Sequence, residues 1–248
     1  MFVVGRDINK SNKNHLIDAL NSGHEIANHS FSHCANFSSL SKEDFVREIR
    51  MTNEAIKTNL GYICKGFKAP NFNVSLSQLE LLKQEGIQYD SSILMTPFCR
   101  VLKWIKRRDA EESDYLCDSY KQGSMFWSAI SCNFSNLNNV VEIPISVFPI
   151  FKFPCHFSYL LATNKYLACK IMRTLINWHI KNDNDLVYLF HLADIVGNEF
   201  LRGTELKLYK SLEERLFLLD MILEMFSENF SSLTTYEYLN FKRNMQYE

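Results

Sequence analysis

Short apolar runs alternate with amphipathic helical segments along the first part of this 248-residue chain. Three of the helical segments end at a glycine (Gly23, Gly61 and Gly86), and an apolar run of strand length follows each of them. Strands that alternate with helices in this way favour a parallel sheet with crossover helices. The pattern therefore predicts an α/β fold, in which functional side chains follow the carboxyl ends of the strands.

Helix caps and turn residues set the expected boundaries of the elements. Ser41 and Ser75 are the expected N-caps of two helices. No repeat or linker divides the sequence, so residues 1–248 are expected to form one domain. The expected strands are 1–4, 25–28, 63–69, 87–91, 125–132, 140–147 and 186–191. The expected helices are 12–22, 41–61, 75–86, 164–180 and 211–226, with a turn at 136–139 and a last short element at 231–238.

The composition excludes several classes of protein. A formal net charge of -1 gives no overall field that attracts nucleic acid, so no nucleic-acid partner is expected. No apolar run reaches the ~18 residues of a membrane helix, and no secretory signal is visible. We therefore expect no stable membrane insertion and a cytoplasmic location for the chain as written, although an exported full-length form is compatible with the sequence. The 7 cysteines include no CxxC pair, which argues against a cysteine zinc site.

A pair of histidines is the first sign of chemistry. Residues 23–33 read GHEIANHSFSH, in which His29 and His33 are four positions apart and follow a predicted strand. On a helical turn this spacing puts both imidazoles on one face, where they can bind one divalent ion. The spacing alone is weak evidence, and its position at a strand end strengthens it. His24 precedes the strand and is interpreted as a structural or surface residue.

Several motifs in a fixed order resemble those of polysaccharide deacetylases with the NodB-homology domain, carbohydrate esterase family 4. Residues 23–33 resemble the second motif of the family, which has the form H-[ST]-x-x-H after a Gly-His-Glu-Ile lead-in. The resemblance continues through GFKAP at 66–70, YDSSI at 89–93, VEIP at 141–144 and LFH at 189–191. It implies a (β/α) barrel of the deacetylase type.

The resemblance also implies a reaction, the metal-dependent removal of N-acetyl (or O-acetyl) groups from an acetylated polysaccharide or oligosaccharide. Members of the family bind the metal through one Asp and two His, use a second Asp as general base and protonate the leaving amine with a late His. Carried over to this chain, His29 and His33 are the implied metal ligands and His191 the implied catalytic acid. Zinc is the default ion, and cobalt, nickel or iron also suit such a ligand set.

Two departures from the family pattern modify this expectation. The opening Thr-Phe-Asp-Asp motif, which supplies the base and the Asp ligand, lies on a strand that precedes the one beginning here at Met1. Asp7 follows the second strand of the family rather than the first, so it cannot replace an Asp of that opening motif. We therefore expect an N-terminally truncated domain and an incomplete barrel that lacks the first strand.

The second departure concerns the third motif of the family, Arg-x-Pro, in which the Arg orients the base. Lys68, Ala69 and Pro70 stand there, and lysine lacks the planar fork of arginine. Lys68, Pro70 and Asp90 are expected in supporting roles, with Asp90 capping the turn after its strand. We therefore expect impaired deacetylase activity. The alternative is a non-catalytic pseudoenzyme or gene fragment that at most binds glycan.

Overall fold

A parallel sheet is the centre of the fold. The structure is a computed structural model and describes residues 1–94, 96, 135–137, 140–149, 151–197 and 210–245. Its strands are β1 (Phe2–Val3), β2 (Ala27–Asn28), β3 (Gly66–Phe67), β4 (Tyr89–Asp90), β5 (Ser135–Leu137) and β6 (Val140–Glu142). They lie in the order β1-β2-β3-β4-β6-β5, and β5 is antiparallel to β6 while the other pairings are parallel. The predicted α/β fold class is confirmed.

Helices flank this sheet. They are α1 (Lys13–Asn21), α2 (Lys42–Leu60), α3 (Leu76–Gln84), α4 (Phe157–Leu160), α5 (Lys165–Lys181), α6 (Leu212–Asn229) and α7 (Thr235–Met245). The backbone amide of Asp44 donates to Ser41 Oγ at 3.1 Å, and Ser75 and Gln78 cap α3 reciprocally. Gly61 has a φ of 65°, the left-handed conformation that glycine adopts without strain. The predicted caps and stops are therefore confirmed for α2 and α3.

Apolar side chains join the helices to the sheet. Phe45 and Ile49 of α2 are fully buried against Phe67 of β3, with the rings of Phe45 and Phe67 6.2 Å apart. A second apolar cluster forms where α5 packs on α6, and it includes Met172 and Leu218. The sheet is open in the described part of the chain, with β1 and β5 at its edges, as expected for an incomplete barrel. Among the described residues, no helix combines the length and the apolar character needed to cross a membrane.

Some predicted elements differ from those observed. The predicted strand 125–132 lies outside the described residues. The predicted turn 136–139 is wrong for residues 136–137, which belong to β5 and pair with β6, and residues 138–139 lie outside the described residues. Residues 186–191 form no strand, since the Val187 amide donates to the hydroxyl of Ser146 at 3.0 Å rather than to a backbone carbonyl.

Candidate active site

Polar side chains gather at the carboxyl edge of the parallel sheet. Asp90 and Glu142 are the last residues of β4 and β6, while His29 and Lys68 directly follow β2 and β3. Because neighbouring parallel strands end at the same edge, these four residues come from adjacent positions across the sheet.

The loop that carries the two histidines is not helical. The two histidines lie after the end of β2, as expected, and Ser30 and His33 have φ values of 60° and 53°, in the left-handed region. The loop nevertheless brings the rings of His29 and His33 to a centroid separation of 5.0 Å at an interplanar angle of 75°. Left-handed conformations at non-glycine residues are costly and concentrate at functional sites.

Hydrogen bonds from three elements hold this loop in place. Glu48 of α2 accepts hydrogen bonds from the backbone amides of Phe31 and Ser32, each at 2.8 Å, through Oε2. Asn28 Oδ1 accepts from the Ser30 amide at 2.9 Å, and the Gly5 amide donates to the Ser30 carbonyl at 3.0 Å. The sequence analysis missed Glu48, because its contact with the loop arises only when α2 packs on the sheet.

The ring of His29 is prepared to bind a cation. Its Nδ1 lies 2.6 Å from the carbonyl oxygen of Lys68, which can only accept, so Nδ1 carries the proton and Nε2 keeps its lone pair. Burial lowers the pKa of His29 to about 4; the hydrogen bond to Lys68 opposes this shift, and the charges of His33, Lys68 and His191 reinforce it. The ring is therefore neutral at physiological pH, which is the form that binds a metal.

The donor set fits a divalent metal only in part. His29 and His33 provide two imidazoles, and imidazole suits zinc, cobalt, nickel and iron. Within the described ranges, no group of three His, Cys, Asp or Glu side chains is arranged to hold an ion. The histidine pair therefore fits as two ligands of an ion whose other ligands come from elsewhere.

Lys68 is directed toward buried carboxyl groups. Its Nζ donates to the Ser91 carbonyl and lies 4.6 Å from the centre of the Phe72 ring. Burial lowers the pKa of Lys68 to about 8, while Asp90 and then Glu142 oppose that shift. Lys68 is only 4% exposed, so its ammonium group is stabilised by contacts inside the protein rather than by water.

Asp90 and Glu142 interact directly beneath the edge of the sheet. Burial raises the pKa of both carboxyls, and the proximity of Asp90 raises that of Glu142 further. Asp90 Oδ2 and Glu142 Oε2 accept no hydrogen bond from other described groups, and the contact between the two carboxyls lowers the pKa of Asp90 while it raises that of Glu142. Asp90 Oδ1 also accepts from Ser92 Oγ at 2.5 Å, inside the turn after β4.

His191 has partners that the sequence analysis missed. Its Nδ1 lies 3.0 Å from Ser158 Oγ and 3.5 Å from Asp194 Oδ2. The His156 ring lies 6.0 Å from the His191 ring and 6.3 Å from that of Phe72, in the turn that Pro70 begins. The three-residue spacing of His191 and Asp194 was a usable signal in the sequence, whereas Ser158 is distant along the chain.

The fold and the site together define an α/β protein with a histidine pair at the carboxyl edge of a parallel sheet. Residues 1–89 match the family model described as polysaccharide deacetylase. That match covers β1 to β3, the first residue of β4 and the histidine loop, so residues 1–89 are similar to the predicted family. None of the curated proteins matches the sequence.

Three solved structures are similar to part of this chain. The domain of a multidomain xylanase from the hindgut metagenome of Trinervitermes trinervoides is 25% identical, covering 36% of this chain and 40% of its own, with a TM-score of 0.31. A cobalt-bound family 4 acetyl xylan esterase from Clostridium thermocellum is 30% identical, covering 36% and 42%, with a TM-score of 0.32. A family 4 pseudoenzyme from Bacillus anthracis is 18% identical, covering 42% and 35%, with a TM-score of 0.35. The chain thus spans less than half the length of each.

Proposed function

We propose that this chain carries the histidine half of a metal-dependent deacetylase site that acts on acetylated polysaccharide or oligosaccharide. The observation that carries the proposal is the pairing of His29 and His33, whose rings are 5.0 Å apart within the residues that match the deacetylase family. The bond from His29 Nδ1 to the Lys68 carbonyl supports it, because it leaves Nε2 available to a metal.

Each residue has a distinct role in the proposed reaction. His29 and His33 would hold the ion, with zinc as the default and cobalt, nickel or iron as alternatives. The bound ion would supply Lewis acidity toward the acetamide carbonyl. His191 would deliver a proton to the leaving amine, and Asp194 supports this role because its carboxylate lies on the Nδ1 side of the ring.

The same residues suggest that residues 1–248 alone are a poor catalyst. Asp90 is 1% exposed and is engaged with Ser92 and Glu142, while the exposed Asp7 lies 3.7 Å from the Arg6 guanidinium. In the described part of the chain, neither carboxylate joins His29 and His33 in a group of three side chains that could hold an ion. Since general base catalysis contributes about 10²–10⁴-fold in rate, we expect acetate release near background.

A second candidate function is glycan binding without catalysis. It is favoured by Lys68, which stands where the family has the arginine that orients the base. Lys68 Nζ instead contacts the Ser91 carbonyl and the Phe72 ring. In this reading the buried lysine stabilises the edge of the sheet, and the chain recognises a glycan that it does not hydrolyse.

Acetate release from chitin oligomers, with added zinc or cobalt, separates the two functions. We expect background rates from residues 1–248 and a clear gain when a strand with two adjacent Asp is joined ahead of Met1. Lys68→Arg should increase turnover only in that extended protein, because its task is to orient the added carboxylate.

Three outcomes of this assay decide between the readings. Robust turnover by residues 1–248 that is lost in His29→Ala would show that another carboxylate serves as base, and would refute the expected impairment. No gain in the extended protein, together with retention of the oligomer on the chain, would favour the binding function. No gain in acetate release and no retention of the oligomer would refute both proposed functions.

The predicted cytoplasmic location stays a prediction.

A further inference from the structure

The Ser158 hydroxyl lies between Asp194 and His191, and its single proton can be donated to only one of them. Ser158 Oγ lies 2.7 Å from Asp194 Oδ2 and 3.0 Å from His191 Nδ1. A carboxylate can only accept, so the hydroxyl proton of Ser158 points to Asp194. Ser158 Oγ is then an acceptor toward the ring, and His191 Nδ1 must carry a proton to complete the chain of hydrogen bonds.

Asp194 is held as a carboxylate. Burial alone would raise the pKa of Asp194, but the nearby His191 side chain and hydrogen bonds from the His191 backbone and from Ser158 keep the pKa below its ordinary value. The His191 amide donates to Asp194 Oδ2 at 2.9 Å. The carboxylate therefore receives donors from both residues and remains an acceptor for the Ser158 hydroxyl.

The arrangement is anchored from two sides of the fold. Arg215 of α6 is fully buried and donates to the carbonyls of Asp194 at 2.9 Å and Val196 at 3.0 Å, which fixes the turn after His191. The amide of Phe157, the first residue of α4, donates to the Leu189 carbonyl at 3.0 Å. Ser158 and His191 are thus held against each other by backbone contacts that do not depend on their side chains.

We propose that Ser158 is a positioning residue that links Asp194 to His191 and fixes the Nδ1–H tautomer of its ring. Nε2 is then the atom that exchanges protons: it takes one from solvent, gives it to the leaving amine, and Nδ1–H stays bonded to Ser158 throughout. This use of Nε2 rests on the proposed deacetylase function, whereas the tautomer itself does not. In the described part of the chain, the imidazoles of His156 and His29 lie near His191.

Nitrogen-15 NMR of the imidazole rings in the full chain tests the tautomer directly. At a pH where His191 is neutral, we expect its Nδ1 to be the protonated nitrogen. Ser158→Ala and Asp194→Asn should each shift the ring toward the Nε2–H form that an unconstrained histidine side chain prefers, and Ser158→Thr should restore the original spectrum because threonine keeps the hydroxyl. Ser227→Ala removes an exposed hydroxyl on α6 and should leave the His191 signals unchanged.

The NMR spectra test the tautomer of His191 independently of the proposed deacetylase function. An Nε2–H ring in the unsubstituted protein, or a ring whose tautomer is unchanged in both Ser158→Ala and Asp194→Asn, would overturn the relay. Spectra of the remaining histidines report whether each variant is folded. A confirmed tautomer with no acetate release from any extended form of the chain would leave the relay intact and refute the deacetylase function instead.

Discussion

Glu48 is the residue whose removal should most clearly disturb the histidine loop without touching either histidine. Its carboxylate accepts two backbone hydrogen bonds, from Phe31 and Ser32, both at 2.8 Å. Hydrogen bonds to a charged group contribute about 1.5–3 kcal/mol each, and water can replace part of that at a half-buried site. We therefore expect Glu48→Ala to lower the free energy of unfolding by about 2–3 kcal/mol. For a chain of this size that lowers Tm by about 4–12 °C.

The comparison with Glu48→Gln separates charge from geometry. Glutamine keeps one acceptor oxygen, and charge-assisted hydrogen bonds are roughly twice as strong as neutral ones, so about half of the loss should remain. Glu54→Gln on the exposed face of the same helix is the matched control and should change stability by less than about 0.5 kcal/mol. Urea unfolding measures the free energy of unfolding, and zinc titration measures the affinity of the histidine pair for the ion. Loss of a group that supports metal ligands typically costs about 10–100-fold in metal affinity.

The reasoning about the loop fails if Glu48→Ala is no more destabilising than Glu54→Gln. It also fails if Glu48→Ala unfolds earlier but binds zinc as tightly as the unsubstituted chain. In that case the two amides would be held by other groups, and the position of His33 would not depend on α2.

Three further predictions concern the frame around the site. His29 has a pKa of about 4 in the folded chain against 6.5 unfolded, so the unfolded chain binds its proton first as pH falls. The free energy of unfolding of the metal-free protein should therefore fall by up to about 3 kcal/mol between pH 6.5 and 4, and His29→Asn should flatten that part of the urea midpoint curve. Glu25 accepts from the Tyr89 hydroxyl at 2.7 Å and from the Tyr236 amide at 2.9 Å, so Glu25→Gln should cost about 1–2 kcal/mol and speed hydrogen exchange in α7. A Cβ at Gly66 would lie 1.9 Å from the Tyr89 ring, so Gly66→Ala should cost at least about 3 kcal/mol in urea unfolding.

Elements specified by neighbouring residues could be predicted from the sequence. Ser41 and Ser75 cap their helices as expected, because an N-cap hydroxyl needs only the amide three residues later. Gly61 and Gly86 adopt positive φ for an equally local reason. The parallel pairing of β1 to β4 was expected from the alternation of strands and helices.

Features that depend on packing between distant segments could not be predicted. The histidine loop is set by Glu48 of α2 and by Gly5, so its left-handed residues are invisible to a helical-spacing argument. Residues 186–191 have the composition of a buried strand. The Ser146 hydroxyl nevertheless takes the place of a ladder carbonyl, and that residue lies far away along the chain.

The central claim is that His29 and His33 form one metal site, and cobalt(II) titration followed by its visible absorption tests it most directly. The account predicts one bound ion per chain, with both imidazoles as ligands, and loss of that spectrum in His29→Ala and in His33→Ala. His24→Ala is the control, because this exposed histidine precedes β2 and should leave the titration unchanged. A cobalt spectrum that survives both His29→Ala and His33→Ala, or its absence from the unsubstituted chain, would contradict the account.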